Sequence, residues 1–248
     1  MNRKVRTLLV VGLGLALLVG GGILGLRGAL RHEPTFYREA LSQKPAEQQA
    51  ANDELLANAT ALASNARREG RWSALFTAAQ INGWLALDVP QNFPDLLPKE
   101  ISDPRVRLSK GKATIACRYH DSSITTVISL NVELYLAEPN VLALRIQNVR
   151  AGAIPIPLAQ ILDGVTKAAE DAALHLRWVK SEGDPVALVT LPPTLGRDKH
   201  GVCYRLETLD LRDDAIYMAG HTWKGPPGSN PPNKTALDQA SLSQHPQR

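Results

Sequence analysis

The chain has 248 residues, is 44% hydrophobic and 21% charged, and carries two cysteines, which excludes a disulfide-stapled scaffold and leaves ample apolar material for a core. Its formal charge of +4 has a local origin: Arg3, Lys4, Arg6, Arg27 and Arg31 all precede the first acid, Glu33, and beyond them 23 basic residues face 24 acidic ones. A balance of that kind excludes an electrostatic footprint for nucleic acid.

From the N-terminus, the uncharged run Thr7 to Leu26 predicts a transmembrane helix, because a run of about 20 residues at ~1.5 Å rise crosses the ~30 Å hydrocarbon layer. A cleaved signal peptide is the rival reading. Signal cores usually run about 7 to 15 residues and end in a small-x-small site, whereas this run is longer and exits through Leu26, Arg27 and Gly28. Basic residues ahead of the span slightly outnumber Arg27 and Arg31 behind it, which tips the orientation toward a cytoplasmic N-terminus and an extracytoplasmic C-terminal domain.

Residues 32–74 read as a connector followed by a stalk-like helix over Ala46 to Arg68, with Leu55, Ala59, Leu62 and Ala66 on one apolar face and Asn52, Glu54 and Arg67 toward water. Gly70 is its stop. Thr77 is placed to cap a second, short helix, Ala78 to Leu85, in which Asn82 is expected to hydrogen-bond a neighbouring strand end. Pro90, Pro94, Pro98 and Pro104 make the next stretch irregular.

Then the period changes from helical to alternating. Val106–Leu108 and Ala113–Tyr119 form a hairpin around Ser109 to Lys112. A long strand carries Ile124, Thr126, Ile128, Leu130, Val132, Leu134 and Leu136 on one face, and Val141 to Val149 returns antiparallel with Leu142, Leu144 and Ile146 alternating. Gly152 to Pro157 ends that strand and leads into a helix from Leu158 to Leu176, whose stripe includes Ile161 and Val165. Further strands are expected at Trp178–Lys180, Val186–Leu191, Tyr204–Leu211 and Ala215–His221. The Pro- and Gly-rich remainder, 224–248, is too poor in apolar residues to order, which leaves 1–31 as anchor, 32–74 as connector and 75–223 as one α+β domain.

The order Phe76, Thr77, Gln80, Ile81, Asn82, then long alternating strands, then Gly152, Ile154, Pro155, Pro157 before a helix resembles the bacterial YpmS-like family of membrane-anchored proteins over roughly Leu75 to Thr222. Ile81 stands where that family usually has leucine. The resemblance implies an antiparallel curved sheet packed on one or two long helices, somewhat like tubular lipid-binding domains, and carries over no catalytic residue.

Chemistry-bearing patterns are sparse. His32, His120, His175, His200, His221 and His245 show no metal-ligand spacing, and neither a phosphate loop nor a nucleophile elbow is present. Asp163, Glu170 and Asp171 make an ordinary solvated helix face, and pairing of Cys117 with Cys203 is left open. The expectation is therefore a non-catalytic, single-pass domain without cofactor or metal. It would hold an apolar or lipid-like ligand against Ile128, Leu130, Val132, Leu134, Leu144, Ile146, Ile161 and Val165. The alternative is an envelope assembly scaffold or protein-interaction module that uses its surface without a ligand.

Overall fold

The computed structural model describes residues 28–158, 162–163, 166, 170, 175–181, 183–192 and 202–225. Its architecture is α+β and antiparallel throughout. Three helices lie wholly within the described residues, α1 (Thr35–Leu41), α2 (Pro45–Ala66) and α3 (Ala78–Asn92). A small sheet has the order β1 (Gly70–Thr77), β10 (Ala215–Lys224), β9 (Val202–Arg212). The large sheet runs β2 (Ile101–Ser109), β3 (Lys112–His120), β4 (Thr125–Glu138), β5 (Val141–Ala151), β8 (Asp184–Thr190), β7 (His175–Ser181), with the two-residue β6 (Ile154–Pro155) beside β5.

The alternation read from β4 holds: Val132 and Leu134 face the same side as their partners Ala113, Ile146 and Leu144. The end of this face nearest the small sheet is packed with Val106, Leu108 and Ala113 against Ala78 of α3 and Leu211 of β9. Helix α3 starts at Thr77 with a capping box, in which the Thr77 hydroxyl accepts from Gln80 N and the Gln80 side chain accepts from Thr77 N. Asn82 then completes the outer edge of β2, its amide nitrogen donating to Val106 O at 2.8 Å and its oxygen accepting from Val106 N at 2.7 Å. A side-chain amide thus stands in for a missing neighbouring strand.

Hairpin turns of the large sheet hold the far edge of β9. At the β4–β5 turn, Asn140 adopts φ +63 and its amide accepts from Leu206 N at 2.6 Å and donates to Tyr204 O at 3.0 Å, while its own backbone N donates to Leu206 O at 3.3 Å. At the β2–β3 turn, Gly111 N donates to Leu211 O at 3.0 Å. These contacts supply the ladder that an open edge strand lacks.

On the opposite face of the large sheet lies α1. Tyr37 is fully buried against Ala116 and Val127, and its hydroxyl donates to Asp103 O at 2.9 Å. Arg118 braces this junction between Asp103 (3.6 Å) and Glu33 (3.7 Å).

Several expectations need correction. The single-pass anchor over residues 7–26 lies outside the described residues, and among those described no helix is long and apolar enough to cross a membrane. Helix α2 has 22 residues, enough to span by length, but Glu47, Gln48, Gln49, Asn52, Asp53 and Glu54 fill its first half. The transmembrane element of the fold class is therefore unsupported. With it go the membrane as a partner through residues 7–26, the topology with a cytoplasmic N-terminus and extracytoplasmic domain, and the reading as a membrane-anchored domain for a lipid-like ligand.

Other differences are local. Asn52, expected in water, is 6% exposed, because α2 packs this side on α3, and its Oδ1 has no hydrogen-bond partner among the described residues. Helix α3 continues past Leu85 to Asn92 with Pro90 inside it. Residues 70–77, expected as a connection, form β1, and Leu176, expected on a helix, belongs to β7. Most of the helix expected from Leu158, and the tail beyond Gly225, lie outside the described residues.

Two predictions follow from these junctions. Asn140→Ala removes both amide bonds at a left-handed position and is expected to cost about 2–3 kcal/mol in urea unfolding, with Asn140→Gly costing less because it keeps the backbone conformation. Burial first, then the charge of Asp103, pushes the Tyr37 phenol up to about 12. The folded state holds this proton more tightly than the unfolded chain does. Its contribution is thus whole below about pH 10 and is lost as pH rises toward 12, on the order of 2 kcal/mol. Urea titrations across that range should show the loss, and Tyr37→Phe should abolish its Tyr37-dependent part.

Candidate functional site

Helix α2 touches the rest of the molecule firmly near its two ends. Near the first, Gly83 of α3 allows contact so close that a β-carbon there would stand 2.7 Å from Gln48 O and 2.8 Å from Asn52 N. At the other, the buried Thr222 hydroxyl donates to Ala66 O at 2.8 Å and accepts from Trp72 Nε1 at 2.9 Å. The Trp72 ring lies over Gly220, where any β-carbon would collide with it.

Between these attachments the helix bridges a gap. Ala59, Leu62 and Ala63 form one wall of a recess of about 420 Å³, partly open to solvent. Its floor comes from the small sheet, through Trp72, Leu206, Leu209, Ile216 and Met218, and from the large sheet, through Leu134 and Leu142. Tyr204 and Leu191 close the side. A bulge matters here: the β9 register shifts opposite Ala219 and Gly220, so Leu206 and Leu209, three apart, both reach the recess.

The lining contains no carboxylate, imidazole, thiol or amine. Its indole N–H is committed to Thr222, and burial raises the Tyr204 phenol above its ordinary value, which keeps it neutral. What this arrangement does chemically is remove apolar groups from water.

Elsewhere several titratable groups are engaged in structure. The Asp121 carboxylate is held below its usual range by the backbone amides of Ser123 and Ile124. Cys117 is a thiol pushed up to about 11 by burial; Cys203 lies on the other sheet, where its thiol donates to Gly225 O at 3.4 Å, and the two form no disulfide. His120 contacts the Thr125 hydroxyl and His221 packs edge-on to Trp223. Among the described residues no group of three or more His, Cys, Asp or Glu could hold a metal ion.

Of the described residues expected to line a ligand site, only Leu134 reaches the recess. Val132 and Ile146 are buried core, at 6% and 5% exposure, while Leu144, Leu130 and Ile128 are half-buried along the same sheet. Ile161 and Val165 lie outside the described residues. Sequence reasoning missed Trp72, Tyr204, Leu206, Ile216 and Met218. Their alternation was visible, but nothing local shows that β1, β9 and β10 form a separate sheet facing α2.

No protein family, curated protein or solved structure matches this chain. The likeness to the YpmS-like family therefore rests on its short motifs alone.

Thr222→Val would orphan both Trp72 Nε1 and Ala66 O. It is expected to cost about 2–3 kcal/mol and to change the tryptophan emission, read together in urea unfolding followed by fluorescence.

Proposed function

We propose that this protein is an interaction module without a small-molecule ligand, whose recess beneath α2 receives apolar side chains of a partner polypeptide. The carrying observation is the recess itself. It is apolar and opens at the surface beside a helix with Leu56 40% exposed, and the indole N–H in its wall is already paired. Small-molecule sites combine an apolar wall with a few free polar groups that fix the ligand's orientation. Here recognition rests on shape and buried area, as at the centre of a protein interface where one anchoring side chain fills a pocket.

A photo-crosslinking amino acid in place of Ala63, in the full chain expressed in cells, tests this. A discrete polypeptide adduct is expected, and it should vanish when Ala59→Trp fills the recess. Adducts with lipid only, or no adduct at all, would overturn the reading.

A further inference from the structure

We infer that the partner received by this recess is a second copy of the same chain, docked through an antiparallel pairing of α2 with α2 of the other copy; the inference rests on the interaction reading above. Gln49, Asp53, Leu56, Thr60, Ala63 and Arg67 recur at steps of three and four along α2 and its C-terminal end, which places them on one face. All six are exposed. Such a face is unusual in being self-complementary.

Under a two-fold axis passing beside Thr60, a residue before the axis meets one equally far beyond it. Asp53, seven residues before Thr60, then faces Arg67 of the second copy, seven residues beyond it, and the symmetry repeats the pair. Leu56 falls opposite the region of Ala63, which borders the recess, so each copy's protruding leucine enters the other's cavity. The charges agree over the whole helix. From Pro45 to Ala66 its ionisable residues are Glu47, Asp53 and Glu54, all acidic, while Arg67 and Arg68 follow its end with no ion pair among the described residues. Antiparallel pairing sets the acidic half against the basic end twice, and parallel pairing would set like against like. The small side chains of Ala59 and Ala63 let the backbones approach.

A single helix pair lies at the small end of specific interfaces, below about 1,200 Å² in total, so the dimer should dissociate on dilution. Sedimentation equilibrium on the full chain is expected to show a reversible monomer–dimer transition. Asp53→Arg or Arg67→Asp alone should weaken it about tenfold, because two symmetry-related pairs become repulsive, and the double exchange should restore it. Restoration cannot come from misfolding, since both positions are exposed. A chain that stays monomeric at high concentration, or a double exchange no better than the singles, would overturn the dimer. The two readings fail differently: a monomer whose residue-63 crosslinker captures a different polypeptide sinks the dimer alone, whereas a monomer capturing none sinks both.

Discussion

One side-chain amide does much of the work of joining the two sheets. Asn140 sits at a hairpin turn in the left-handed conformation and presents donor and acceptor to the edge of β9, bonding Tyr204 O and Leu206 N as a neighbouring strand would. Asparagine is among the few non-glycine residues that adopt that backbone conformation readily, and its short amide brings both a donor and an acceptor to the turn. The consequence reaches past the turn. With its edge tied to hairpin ends rather than to another strand, the small sheet cannot merge into the large one, and the inner faces of both look toward the same space.

That space is closed on its third side by α2, and the manner of closure explains the recess. The helix is fixed where Gly83 lets its early turns approach α3 and where Thr222 ties its last carbonyl, Ala66 O, to Trp72. Only Asn52 and Ala66 of its 22 residues are buried. A helix held at two points over a hydrophobic floor, with alanines where larger residues would fill the gap, leaves void volume that core packing ordinarily eliminates. Because the recess is partly open to solvent, its apolar lining is left against water, and covering it with an apolar group would be favourable.

Local chemistry was legible in the residues, while the tertiary arrangement was not. Thr77 as a cap, Asn82 as a partner for a strand end, and the β4–β5 hairpin were all readable because each depends on short spacing and known side-chain geometry. Asn140 could be read as a turn residue, but its bonds join positions 64 and 66 residues apart. No sequence period encodes such a separation. Strand β1 was hidden because Leu75, 47% exposed, points outward and blurs the alternation of Trp72, Ala74 and Phe76. Asn52 was misread because burial of α2 follows its contact with Gly83, at an angle the apolar stripe does not define. The recess draws on helix, both sheets and the segment after β8, so its members carry no shared local signature.

The exposed face of α2 can be weighed against its alternatives by what it would cost in isolation. A helix polar around most of its circumference, resting on few buried contacts, gains little from tertiary packing and must rely on alanine-rich propensity. Such helices suit a bridging position over solvent, and mere bridging would be served equally well by a surface glutamine or lysine where Leu56 stands. An exposed leucine on the helix that walls an apolar recess, between an acidic half-helix and two arginines with no ion pair among the described residues, instead combines three elements of the proposed interface: an anchor, a pocket and a complementary charge pattern. Because the anchor and the acidic charges lie on one helix, which also walls the pocket and ends at the arginines, a two-fold axis lets a single surface supply both sides of the proposed contact. Oligomerisation through it would also fill the void that the two-sheet joint creates, coupling the stability of the fold to its association.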